Sequence, residues 1–249
     1  MNRQLVFEDD FDAAELNRDT WLPNYLPAWS STDATAATYA IADSCLTLSI
    51  PARHPLWMQG DHSPLRVSGI QSGNWSGPVG SSRGQQPIDA HSVVREQQQE
   101  FWGWTPEFGR LELRARMSIG PGSMAAWWMV GRELIPEESA EICIVEVFGD
   151  RPRNLGSGLH PFRDRRIRED FAAPFIDIDV SEFHTYAVDW TRERVEFSVD
   201  DRRFATKRNP PTYPMQHMIA VFDFPDERRP DEKPHHEPSL AIDWIRGYE

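Results

Sequence analysis

Cysteine is scarce in this chain, with only Cys45 and Cys143 among 249 residues. No CxxC pair and no Cys/His spacing of a zinc site occurs, so a disulfide framework and a zinc-finger module are both excluded. One bridge between the two cysteines is allowed, but nothing requires it. No run of about 18 apolar residues is present, which excludes a membrane-spanning helix. Positive charge is in deficit: 26 Lys+Arg stand against 39 Asp+Glu, for a net charge of −13. Phosphate backbones attract positive patches, so generic nucleic-acid binding is disfavoured, and an anionic polysaccharide more weakly so. The opening "MNRQLVFEDDFD" lacks the apolar stretch of a signal peptide. The expectation is a soluble cytoplasmic protein with free thiols, or a secreted one if a leader has been trimmed. Nothing here fixes an oligomeric state.

Aromatic residues, by contrast, are abundant, with 10 Trp and 13 Phe in a chain that is 39% hydrophobic. Such rings fill sandwich cores and also stack on sugar faces. The readable pattern is alternation. "CLTLSI" alternates, and "GRLELRARM" places Leu111, Leu113, Ala115 and Met117 on one face and Arg110, Glu112, Arg114 and Arg116 on the other. "HTYAVDW" and "RVEFSVD" follow. The Asp200-Asp201 pair reads as a hairpin tip leading into "RRFATK", and "LAIDWIRGY" closes the chain. No long amphipathic helix is found. The 20 Pro and 15 Gly fall mostly between these runs, as turns do. Many short strands with turn punctuation predict an all-β sandwich or barrel. Residues 1–249 read as a single domain, since all-β units reach this length.

Residues 51–90 read as a long irregular insertion, rich in Gly, Ser and Pro with isolated Trp57 and Trp75. Long loops on a β scaffold often form walls or lids of sites. The charged, Pro-rich segment 225–238 reads as an exposed loop.

The run "AEICIVEVFG" holds Glu141 and Glu146, five positions apart, with Cys143 between them. In a regular strand an odd spacing throws two side chains onto opposite faces. A β-bulge near Ile144–Val145 would reset the alternation and return Glu146 to the face of Glu141 and Cys143. Two carboxylic acids across one cleft are the working parts of a glycosidase. The alternative is that each glutamate pairs with an arginine on a solvated face.

The same run resembles the signature E-(I/L/V)-D-(I/V)-x-E of glycoside hydrolase family 16. Other ordered stretches are similar to that family: "LVFEDDFD" followed by a Trp, "FGRLELRARM", "GPGSMAAWWMVG", "FHTYAVDWTRERVEFSVDDRRF" and "AIDWIRGYE". The resemblance implies a β-jelly-roll sandwich of two curved antiparallel sheets, concanavalin A-like. It implies a retaining glycoside hydrolase or transglycosidase acting on a β-linked carbohydrate, with Glu141 as nucleophile and Glu146 as acid/base. His160 matches a histidine on the neighbouring cleft strand, with a hydrogen-bonded structural role as its alternative. Trp127 and Trp128 match an aromatic pair, of which at least one is expected in the core. Asp243 matches an aspartate of a structural calcium site, and no other cofactor is implied.

This sequence departs from the family where Cys143 stands in place of an Asp. Cys is neutral near pH 7 and a weak donor, so the substitution removes a charge and a hydrogen bond from the carboxyl pair. Weakened catalysis is expected, or a non-catalytic, lectin-like carbohydrate-binding domain on the same scaffold. A catalytic thiolate is disfavoured, because two flanking carboxylates would raise its pKa. Met124 replaces a family Trp, the Trp that precedes the first glutamate is absent near Pro136, and segment 51–90 has no counterpart in the pattern.

Overall fold

The computed structural model describes residues 3–58, 63–227 and 237–249. Most of the charged segment 225–238 lies outside the described residues, as do residues 59–62 of the expected insertion.

The strands, in chain order, are β1 (Leu5–Asp9), β2 (Thr38–Ala42), β3 (Cys45–Ser49), β4 (Arg66–Gln71), β5 (Gly73–Asn74) and β6 (Phe101–Trp102). They continue with β7 (Gly109–Ser118), β8 (Ser123–Gly131), β9 (Glu141–Phe148), β10 (Gly156–His160) and β11 (Asp170–Ala172). The last are β12 (His184–Trp190), β13 (Arg194–Val199), β14 (Arg202–Arg208), β15 (Met215–Asp223) and β16 (Ser239–Tyr248). The helical elements among the described residues are the short 3-10 turns Pro27–Trp29 and Pro225–Glu227.

Two antiparallel sheets carry the fold. One runs β14-β13-β12-β7-β16-β3-β2, with β1 also paired to β16. The other runs β11-β10-β9-β8-β15-β4. The first sheet obeys the alternation: Leu111, Leu113, Ala115 and Met117 of β7 are buried, while the residues between them are partly or fully exposed. The Asp200-Asp201 tip turns with φ of 47° and 61°, the left-handed pair of a tight hairpin. Between the sheets lies the main core, in which Trp21, Trp127, Trp190 and Phe197 are wholly enclosed.

The central strands of the six-stranded sheet are buried on both faces. All nine residues of β8 and all nine of β15 are buried. Its second face packs a separate cluster that includes Leu26, Trp29, Trp57, Val67, Trp128, Cys143 and Phe222. Residues from the 51–90 stretch therefore form a layer over part of that face. Three indole N–H groups tie the layer down: Trp57 donates to the Tyr25 carbonyl at 2.9 Å, Trp29 to that of Gln85 at 2.7 Å and Trp75 to that of Arg132 at 2.8 Å.

Segment 51–90 is not irregular throughout, which corrects the expectation. Arg66–Gln71 is β4, paired with β15 along its whole length. Ser and Gly at its centre hide the strand in the sequence, yet both are demanded by packing. A Cβ on Gly69 would lie 2.8 Å from that of Ala220, and the Ser68 hydroxyl donates to the Thr38 carbonyl at 2.8 Å. Cys45 and Cys143 are both free thiols. No helix among the described residues is long and apolar enough to cross a membrane.

Candidate active site

The expected bulge lies in β9. Trp128 pairs with Cys143 and Trp127 with Val145, which leaves Ile144 as the extra residue. The neighbour on the other side shows the same slip, with Gly158 opposite Cys143 and Gly156 opposite Glu146. Ile144 and Val145 consequently both enter the inter-sheet core. Glu141, Cys143 and Glu146 emerge together on the opposite face, where they line one cavity of about 300 Å³.

The rest of that cavity is mostly apolar: Tyr25, Met124, Trp128, Phe222 and Phe224 supply much of its wall. Tyr25 meets Phe222 at 5.5 Å and Trp128 at 6.3 Å between ring centroids, and Phe222 stacks parallel to Phe224 at 6.2 Å. Aromatic walls with a few convergent polar groups are the usual make-up of a small-ligand site. His160 joins them from β10, directly across from Glu141. Its Nδ1 lies 2.8 Å from a Glu169 carboxyl oxygen and its ring stacks on Phe171 at 4.9 Å.

The expected aromatic pair divides. Trp128 lines the cavity, whereas Trp127 is wholly enclosed in the inter-sheet core, its indole N–H donating to His217 Nδ1 at 3.1 Å. Trp127 is thus corrected from a substrate contact to a core residue, because successive side chains of a strand face opposite ways. Met124 does line the cavity, while Pro136 is exposed on the loop between β8 and β9. The Asp243 carboxylate is engaged by the Arg114 guanidinium. Among the described residues no group of three or more His, Cys, Asp or Glu could hold a metal ion.

The carboxyl groups form a larger cluster than the sequence shows. Glu141 is only 9% exposed, and its Oε1 accepts a hydrogen bond from the Gln86 amide. The Gln86 backbone N–H donates to Glu133 Oε2 at 2.6 Å, and Arg163 donates to Glu133 Oε1 at 2.7 Å. Burial, and then the charges of Glu133 and Glu146, push the Glu141 pKa up to about 8. Burial pushes Glu133 up to about 7, against the pull of Gln86 and Arg163. Burial also raises Glu146, with His160 and Arg151 opposing it. The Cys143 thiol is driven well up by burial and by both carboxylates, which leaves no thiolate for chemistry. The cluster cannot carry a full complement of charge near neutrality, so at least one carboxyl keeps a proton.

Gln86, Glu133 and Tyr25 carry no local signal. Gln86 and Glu133 lie 47 positions apart, and Gln86 and Glu141 55 apart. The nearest thing to a trace is Gly84, where a Cβ would sit 2.8 Å from the Trp29 ring. Only glycine lets the backbone pass there and deliver Gln86 two residues on.

The two packed antiparallel sheets form a jelly roll of the concanavalin A-like class, with the carboxyl pair on the face of the six-stranded sheet turned away from the main core. Residues 104–246 match the sequence model of the family described as "Glycosyl hydrolases family 16", and the chain belongs to that family. It is 31% identical over 116 residues to a β-glucanase of Rhodothermus marinus, covering 42% of this chain and 40% of that protein. Among solved structures it is similar to a GlcNAcα1-4Gal-releasing endo-β-galactosidase from Clostridium perfringens. The TM-score is 0.85 at 23% identity, over 99% of this chain and 62% of that one. It also resembles the catalytic domain of an endo-1,3-β-glucanase (laminarinase) from Thermotoga petrophila RKU-1. There the TM-score is 0.66 at 18% identity, over 100% and 98% of the two chains. The chain thus spans less than two thirds of the β-glucanase and of the endo-β-galactosidase.

Proposed function

We propose that the protein is a retaining glycoside hydrolase or transglycosidase that cuts within a β-linked polysaccharide or oligosaccharide. The observation that carries this reading is the bulge at Ile144, which brings Glu141 and Glu146 into one aromatic cavity. Glu141 attacks the anomeric carbon as that carbon's bond to the leaving oxygen breaks, and Glu146 gives its proton to that oxygen. The Glu146 carboxylate then takes a proton from water, or from an acceptor hydroxyl, as that oxygen attacks the anomeric carbon and frees Glu141. Two displacements restore the starting configuration. The chemistry needs the two carboxyls about 5–5.5 Å apart, and charge on Glu141 while Glu146 holds the proton.

The endo-β-galactosidase fits this backbone better than the laminarinase does, with TM-scores of 0.85 and 0.66, so β-linked galactosyl glycans come first in a substrate screen and β-glucans second. The screen uses wild type, Glu141→Gln and Cys143→Asp. Turnover in wild type that is lost in Glu141→Gln supports the hydrolase. Turnover that survives Glu141→Gln removes the proposed nucleophile. A second reading, lectin-like binding without turnover, draws support from Cys143 and from the Gln86 contact that covers Glu141. Glycan binding in all three variants with no cleavage in any would favour it.

A further inference from the structure

The β9 strand presents Glu141 with a neighbour poorly suited to holding it. Cys143 is the other side chain on the same face before the bulge, and its thiol is a weak donor. The hydrogen bond that Glu141 does accept comes from outside the sheet. Gln86 reaches it from the layer that covers the second face of the six-stranded sheet, and Gln86 is itself held by Glu133 and Arg163. Resting on the assignment of Glu141 as nucleophile, we infer that Gln86 is a positioning residue: anchored by the Glu133–Arg163 ion pair, its amide N–H fixes the Glu141 carboxylate for attack.

Four features of the molecule support this. The anchor is built rather than incidental: Glu133 is 3% exposed, yet both its oxygens are occupied, one by the Gln86 backbone and one by Arg163. Arg163 is in turn fixed where its backbone N–H donates to the Ser139 hydroxyl at 2.9 Å. Gln86 and Glu133 both adopt left-handed backbone angles, with φ of 44° and 54°. That conformation is costly for a residue with a side chain and persists where the surroundings demand it. Finally, Gln86 Oε1 is buried without a hydrogen-bond partner among the described residues, in a side chain that lines the cavity. The amide is therefore oriented by its N–H contact to Glu141 and not by any bond to its oxygen.

The contact also works against the burial that holds a proton on Glu141. A donor aimed at Glu141 favours its charged form, and Gln86 is the group that lowers its proton affinity. Glu133, Glu146 and Glu169 act the other way, while Tyr25, Cys143 and His160 face the same cavity.

The test compares wild type with Gln86→Met, which keeps the side chain's reach and loses the donor, and with Glu133→Gln. Folding is checked by thermal melting. Gln86→Met should lower kcat tenfold or more, raise KM, and move the acidic limb of kcat/KM to higher pH. Glu133→Gln removes a like charge and should move that limb to lower pH. A merely structural contact would not move the acidic limb in opposite directions in the two variants. Carbon-13 titration of the glutamate carboxyls, with Glu141 assigned by Glu141→Gln, reads the same shifts without turnover. If wild type cleaves no glycan, the hydrolase reading fails while this titration still decides the contact. Unchanged kcat and pH limb in Gln86→Met overturn the inference, as does a Glu141 titration that ignores both substitutions.

Discussion

Glu141 and Glu146 lie five residues apart on one strand and line the same cavity, because two consecutive residues between them, Ile144 and Val145, both turn into the core. An unbroken strand would have sent one carboxyl into the sandwich interior, where an unpaired charge is very costly. The bulge therefore serves stability and chemistry together. It also makes the site sensitive to length: removing Ile144 should drive Glu146 toward the core, with loss of turnover and a lowered melting temperature, whereas Ile144→Val should leave the pair in place.

Burying Glu141 carries a stability cost that depends on pH. Its folded pKa of about 8 stands above the ordinary carboxylate value. The unfolded chain therefore holds fewer protons between about pH 4.5 and 8, and stability falls as pH rises through that window. Glu141→Gln should abolish turnover and stabilise the fold at pH 8–9 by on the order of a few kcal/mol, with little gain at pH 4–5. Thermal melts across pH check this. A variant no more stable than wild type at pH 9 would contradict the burial.

The acid side has a different source. His217 is wholly buried beside Trp104 and Trp127, and desolvation lowers its pKa to about 3. A histidine kept neutral by the fold contributes stability above its unfolded pKa of about 6.5, and that contribution is lost as pH falls toward 3. His217→Gln keeps an acceptor for the Trp127 indole and should flatten the melting curve's pH dependence between 6 and 4.

The two neighbouring tryptophans should differ in what their loss costs. Trp127→Ala opens a hole in the inter-sheet core and should cost about 3–5 kcal/mol. Trp128→Ala removes a wall of the cavity and should raise KM several-fold, with a smaller loss of stability because Trp128 also packs in the second cluster. Denaturant melts and steady-state kinetics on the two variants check the division.

Cys143→Asp places a further carboxyl on the face shared by Glu141 and Glu146. A like charge there should raise the Glu146 pKa and move the alkaline limb of kcat/KM to higher pH. The same charge raises Glu141, so combining it with Gln86→Met should move the acidic limb to still higher pH. A pH–rate profile of the double variant measures it.

Legibility in the sequence followed exposure. β7 alternates openly because one of its faces meets water, so its four inward residues could be named in advance. β8 and β15 are buried on both faces, and nothing periodic survives in "SMAAWWMVG" or "MQHMIAVFD". There the resemblance of "GPGSMAAWWMVG" to the family located β8, and β15 had no such guide. The bulge was legible because two glutamates at odd spacing in an apolar run make little sense without one. The Gln86–Glu133–Arg163 chain was not, since three loops distant in sequence supply it and no local pattern marks any of them. Trp127 shows the limit of carrying roles over by position, since it faces the core.

The most direct test is to incubate the protein with a 2-deoxy-2-fluoro glycoside of whichever sugar it cleaves, which slows release of a covalent glycosyl-enzyme, and to locate the adduct by peptide mass spectrometry. The account predicts one adduct, carried by Glu141 and absent from Glu141→Gln. An adduct on Glu146, or continued turnover with inversion of configuration and no adduct, would contradict it.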